Sequence, residues 1–96
     1  MKVSDFRSKL LVHKKIHYGF GYPGGSVLHI LNSSYTNGQV KYIQLYHEQS
    51  AAFAADAYAR VAQTSGAALA TSGPGATNLL TGVANAYFDS VQSIFI

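Results

Sequence analysis

Short segments rich in β-branched and aromatic residues alternate with longer segments of helical spacing, and turn-forming residues interrupt the chain between them. Ser4 suits the N-cap of a helix over residues 4–15, and residues 16–20 suit a short strand. A tight loop follows at residues 21–25. Helical spacing returns over residues 26–35 through Val27, Ile30 and Leu31, and Thr36-Asn37-Gly38 stops it, Asn-Gly being a strong turn signal. Residues 40–46 read as a second strand. Residues 49–63 are alanine-rich, with high helix propensity, and end near Gly66; residues 67–71 read as a buried third strand. Ser72-Gly73-Pro74-Gly75 makes another sharp loop, residues 76–89 suit an amphipathic helix, and residues 93–96 begin a fourth strand.

Strands and helices alternating through loops of a few residues predict an α/β unit: a parallel sheet, right-handed crossovers and helices on both faces. The units differ too much to be internal repeats. In such sheets ligands meet the loops at the carboxyl ends of the strands, which directs attention to residues 21–25, 46–49 and 71–78.

A chain of 96 residues with 48% apolar and 11% charged side chains predicts a single small domain. No apolar run reaches the roughly 18–20 residues of a membrane span, and residues 1–15 lack the apolar core and cleavage site of a secretory signal. A cytoplasmic chain is expected. The absence of cysteine excludes disulfides and thiolate metal sites, and His13, His17, His29 and His47 lack the close helical pairing of a metal motif. The net charge of +3 lies mostly at one end, where Lys2, Arg7, Lys9, Lys14 and Lys15 are five of the seven basic residues. They are interleaved with Val3, Phe6, Leu10, Leu11 and Val12 at spacings that suit a helix with one buried face, which favours a solvated basic face over a nucleic-acid patch.

Each of the three loops invites a chemical reading. Gly19-Phe20-Gly21-Tyr22-Pro23-Gly24 matches the glycine pattern of dinucleotide-binding proteins, but Gly19 lies inside the expected strand and Pro23 stiffens the turn where the helix should open. In the second loop Glu48, the only glutamate, follows an apolar strand and begins a helix. A carboxylate there commonly serves only the helix dipole, worth a few tenths to about 1 kcal/mol; among apolar neighbours it is also suited to sharing a proton with a ligand nitrogen. His47 reads as a loop or packing residue. In the third loop two glycines and a proline let a ligand or another chain approach bare backbone. No lysine follows them, which excludes a Walker-type phosphate loop, and no histidine pattern makes Ser72 a triad nucleophile.

Taken together, Phe20-Gly21-Tyr22-Pro23-Gly24-Gly25, His47-Glu48-Gln49, Tyr58-Ala59-Arg60, Thr71-Ser72-Gly73-Pro74-Gly75-Ala76-Thr77-Asn78 and Ala86-Tyr87-Phe88-Asp89-Ser90 resemble the pyrimidine-binding domain of acetolactate synthase-like, thiamine-diphosphate-dependent enzymes. The resemblance covers almost the whole chain, in the family's order and approximate spacing. It implies a three-layer sheet of flavodoxin-like order, with residues 1–96 as part of an N-terminal domain cut in its fourth strand. It also implies that Glu48 hydrogen-bonds the N1′ nitrogen of the cofactor's aminopyrimidine, favouring the tautomer that removes the thiazolium C2 proton before attack on a 2-oxo acid. Tyr22, Pro23 and Gly24 would flank the cofactor, and Thr71, Pro74 and Asn78 would shape the pyrimidine side of the pocket.

The same resemblance assigns magnesium and the diphosphate to a separate domain, through a Gly-Asp-Gly segment and paired asparagines that this sequence lacks, usually in a partner subunit. A middle domain carries flavin (FAD) in some relatives. The expected partners are therefore thiamine diphosphate, a 2-oxo acid such as pyruvate, and a second copy or a diphosphate-binding chain. The alternative is a noncatalytic remnant that keeps the fold as a binding or interaction module. Gly19 stands where relatives commonly have an apolar strand residue, and Gln92 where they commonly have proline; the resemblance implies that Gln92 lies near the substrate channel. The unfinished edge strand and the alanine-rich face of residues 49–63 predict exposed surface.

Overall fold

The computed structural model describes all 96 residues. Four strands, β1 (Tyr18–Tyr22), β2 (Lys41–Gln44), β3 (Gly66–Ala70) and β4 (Ser93–Phe95), form one sheet in the order β2-β1-β3-β4, with every pair parallel. The connections are α1 (Val3–His13) before the sheet, α2 (Leu28–Asn37) entered through a 3₁₀ turn at Gly25–Val27, α3 (Glu48–Ala62), and the pair α4 (Pro74–Asn78) and α5 (Leu80–Phe88). This is the α/β, helix-flanked parallel sheet that the alternating pattern predicted.

The core divides by face. Ala51, Ala52 and Ala55 of α3, with Leu79, pack on Ala68 and Ala70, and Phe20 and Phe95 close the cluster. On the other face Leu11, Ile16 and Val40 pack around Ala67, joined by Ile94. All five residues of β3 are buried, as a central parallel strand covered on both sides requires. Leu11 and Ile16, at 1% and 0% exposure, each contribute roughly 1.5–3 kcal/mol by leaving water. The alanines contribute less by area and more by close approach of α3 to the sheet.

The glycines of β1 have a packing reason. A Cβ on Gly19 would stand 3.0 Å from Leu69 Cδ1, and one on Gly21 would strike the Leu69 carbonyl and lie 3.2 Å from the Tyr42 ring. The flat strip at Gly19 and Gly21 therefore accommodates Leu69 and Tyr42. Gly21 belongs to the strand, not to the loop expected at residues 21–25.

Several other boundaries move for identifiable reasons. Lys2, not Ser4, precedes the first helical residue, because Asp5 Oδ2 accepts the Lys2 backbone N–H at 3.1 Å and sets the start two residues earlier. Lys15 takes a left-handed conformation (φ 58°) and the Ile16 N–H returns to the Leu11 carbonyl, so Ile16 ends the helix exit and the strand begins only at Tyr18. Gln63 (φ 53°) ends α3, and Gly66 lies in β3, where a Cβ would strike the Ala55 carbonyl. The helix expected over residues 76–89 is divided at buried Leu79, whose N–H bonds the Ala76 carbonyl in a tightened turn.

The expected buried face of α1 holds at Leu11 and Val12, which enter the core cluster, and is corrected at the other three positions. Val3, Phe6 and Leu10 are 71%, 54% and 39% exposed, whereas Ser8 and Leu11 are buried. The Ser33 hydroxyl of α2 donates to Asp5 Oδ1 at 2.8 Å, so a polar clasp and small side chains, rather than the apolar stripe, orient α1 on α2. The alanine-rich face is corrected in part: Ala51, Ala52, Ala55 and Ala59 are buried, whereas Ala57 and Ala62 are exposed along with the larger Phe53 and Val61. Strand β4 does form an edge of the sheet.

Candidate functional site

At the carboxyl ends of β1, β2 and β3 the three loops come together around one acidic side chain. His47 caps α3, its Nδ1 accepting the Gln49 N–H at 3.0 Å, so Glu48 occupies the first helical position with its side chain turned inward. Glu48 is only 7% exposed. Asn78, the last residue of α4, donates from Nδ2 to Glu48 Oε2 at 3.1 Å, and Oε1 has no hydrogen-bond partner.

Glycines set the space around this carboxylate. A Cβ on Gly75 would lie 2.8 Å from Thr71 Cγ2 and 3.2 Å from Glu48 Oε1, and a Cβ on Gly24 would collide with Thr71 Cβ. Thr71, which opens the third loop, is thus wedged between Gly24 and Gly75, with Glu48 just beyond Gly75. The turn that makes this possible is Gly73-Pro74: Gly73 takes φ 74°, open to glycine at little cost, and Pro74 occupies the first position of α4.

The residues singled out from the sequence distribute unevenly. Gly24, Glu48, Thr71 and Asn78 form one contiguous cluster with Gly75. Tyr22 ends β1 opposite Ala70 and is 41% exposed, and Pro23 follows it at the rim. Pro74 is exposed and acts in the turn rather than in the contacts to Glu48. Gln92 is corrected: it precedes β4 at the amino ends of the strands, its carbonyl accepting the Gly66 N–H, at the far end of the sheet from Glu48.

The motifs around Arg60 and Asp89 also meet at a distance from the loops. Asp56, 4% exposed, accepts from Arg60 Nε at 2.5 Å and from Asn85 Nδ2 at 3.1 Å, while Arg60 Nη2 donates to Asp89 at 2.6 Å. These bonds, that to Asp56 first, hold the guanidinium above its ordinary range. They tie α3 to α5 and so support the two helical segments that carry Glu48 and follow Asn78.

Sequence reasoning did not single out Ser26. Its Oγ lies 2.8 Å from Thr71 Oγ1 and accepts the Ser72 N–H at 2.9 Å, and its own N–H reaches Thr71 Oγ1 at 3.4 Å. The available signal was a hydroxyl directly after Gly24-Gly25 and two more at Thr71-Ser72, but 45 residues separate the partners. No group of three or more His, Cys, Asp or Glu side chains is placed to hold a metal, and no helix is long and apolar enough to cross a membrane.

Residues 1–96 match the family described as Thiamine pyrophosphate enzyme, N-terminal TPP binding domain. The chain is 54% identical over 90 residues to the acetolactate synthase large subunit of Cyanidium caldarium, a match covering 91% of this chain and 15% of that protein. It is 49% identical over 86 residues to the large subunit of Buchnera aphidicola from Schizaphis graminum, and 43% identical over 86 residues to the isozyme 3 large subunit of Escherichia coli. Each of these two matches covers 90% of this chain and 15% of the relative. The chain thus spans about 15% of the length of these relatives. With a parallel α/β sheet, glycine-bearing loops gathered beside Glu48 at its carboxyl ends and a match over its whole length, the chain belongs to the N-terminal TPP-binding domain family of thiamine pyrophosphate enzymes.

Proposed function

We propose that this chain holds the aminopyrimidine end of thiamine diphosphate in an acetolactate synthase-like enzyme that decarboxylates a 2-oxo acid such as pyruvate and transfers the remainder to an acceptor. The observation that carries this reading is Glu48, a buried carboxylate where the three loops meet, with one oxygen held by Asn78 and the other unpartnered. A ring nitrogen is a suitable partner for that free oxygen, and the absence of side chains at Gly24 and Gly75 lets Thr71 pack between them, beside the carboxylate.

When bound, thiamine diphosphate supplies the carbon nucleophile and electron sink that decarboxylation needs. In this reading Glu48 exchanges a proton with the ring nitrogen through Oε1, Asn78 fixes the carboxylate plane through Oε2, and Thr71 defines the cleft wall. Tyr22, Pro23 and Pro74 form the rim. Magnesium and the diphosphate are assigned to segments outside these 96 residues, in a second copy or a diphosphate-binding partner, and the enzyme to the cytoplasm.

The test is Glu48→Gln in the full-length enzyme carrying these residues. The amide oxygen can still accept from Asn78, so folding should be preserved. Exchange of the C2 proton of bound thiamine diphosphate, followed by NMR, should slow by at least about 100-fold, the lower range for loss of a positioned proton-transfer group. Exchange at the unaltered rate rejects the role of Glu48. Calorimetric titration with thiamine diphosphate and magnesium, with and without the diphosphate-binding part, separates the enzyme from a noncatalytic module: failure to bind in both settings favours the latter.

A further inference from the structure

We infer that Ser26 is a positioning residue for the cofactor cleft: its hydroxyl locks the first loop to the third and fixes the rotamer of Thr71. The inference rests on the thiamine diphosphate reading above.

The hydrogen-bond inventory supports it. Ser26 and Thr71 together own two hydroxyl protons and four acceptor lone pairs. One proton is used between them at 2.8 Å; the Ser72 N–H occupies a lone pair of Ser26 Oγ, and the Ser26 N–H approaches one of Thr71 Oγ1. Whichever hydroxyl donates, the pair retains one free O–H donor and one free lone pair. Ser26 therefore connects the loops without exhausting the polar capacity of the cleft wall.

Thr71 is constrained from three sides. Its Cβ fills the space that a Gly24 side chain would occupy, its Cγ2 lies where Gly75 lacks a side chain, and its Oγ1 is held by Ser26. The two glycines limit where Thr71 can stand but supply no attraction that keeps it there. The Ser26 bonds do, and they also hold the Ser72 backbone immediately before the Gly73 turn. A ligand that contacts this wall then meets Thr71 already in place, whereas without Ser26 binding must also order the two loops.

The experiment compares Ser26→Ala and Ser26→Thr with the unaltered full-length enzyme, with Glu48→Gln as a reference. Ser26→Ala should raise the thiamine diphosphate concentration for half-activation about three- to ten-fold, the range for losing one or two ordinary hydrogen bonds. The change should exceed that in kcat, and the thermal midpoint of the cofactor-free protein should stay within about 2 °C, since Ser26 is exposed. Ser26→Thr, which keeps the hydroxyl, should restore most of the affinity. Unchanged half-activation in Ser26→Ala, or an equal loss in Ser26→Thr, overturns the inference. If Glu48→Gln slows C2 exchange while Ser26→Ala changes nothing, the positioning role alone fails. Failure of the unaltered enzyme to bind thiamine diphosphate overturns both.

Discussion

Gly82→Ala is a demanding test of the packing that supports the site. Gly82 is buried on α5 against α3; an added methyl would overlap Ala52 Cβ, with the Ala52 Cα and carbonyl carbon both 3.3 Å away. Carbon atoms prefer about 3.5–4.0 Å, and a methyl fixed to the backbone has no rotamer that relieves the overlap. The helices must separate. Overpacking of this kind costs typically about 1–3 kcal/mol, and the rigidity of both groups places this case near the upper end. Helix propensity alone returns about 1 kcal/mol on replacing glycine by alanine. The expected net loss is therefore about 2 kcal/mol, which at a urea m-value of about 1 kcal/mol/M lowers the unfolding midpoint by about 2 M. Far-UV circular dichroism of the chain across a urea series measures it. Ala52→Gly costs about 2 kcal/mol alone, from propensity and a lost buried methyl, but combined with Gly82→Ala it removes the overlap. The pair should thus be less destabilising than the sum of the singles by about 3 kcal/mol, the overlap that the double variant removes. A stabilised Gly82→Ala chain, or strict additivity, refutes the reasoning.

The remaining predictions concern two polar clasps. Asp56→Ala should cost about 2 kcal/mol in urea unfolding, because it strips both Arg60 and Asn85 of a buried acceptor, whereas Asp89→Ala, at the exposed end of the same network, should cost under about 1 kcal/mol. Equal effects would contradict the ranking. At low pH the Asp5 clasp should release: the Ser33 hydrogen bond, then that from the Lys2 N–H, hold the Asp5 carboxyl below its ordinary 3.8. Its contribution is complete above the unfolded value and is lost as pH falls through the lower folded value, so Asp5→Ala should flatten the stability profile below about pH 4. An unchanged acid limb in that variant would exclude Asp5.

The placement of the site was legible where local chemistry and fold agree. Glu48 after an apolar strand, and glycines at 24, 73 and 75 after two others, mark the carboxyl ends of a parallel sheet, where loops converge. Ser26 was not legible, because serine after Gly-Gly has many uses and only the crossover of the chain brings it to Thr71. The face of α1 was misread for a related reason. Val3, Phe6 and Leu10 have helical spacing, but Asp5, Ser8 and Ser33 decide which side meets α2.

Alternation of apolar strands, helices and glycine breaks determined the layered α/β architecture and the end of the sheet where ligands meet loops, since backbone periodicity and turn geometry are local properties. Tertiary structure alone decided that Gly19 and Gly21 make room for Leu69 and Tyr42, that Arg60 reaches Asp89, and that Asn78 reaches Glu48. Those contacts join residues on different elements. Their existence depends on sheet order and interhelix distance, which no local segment encodes.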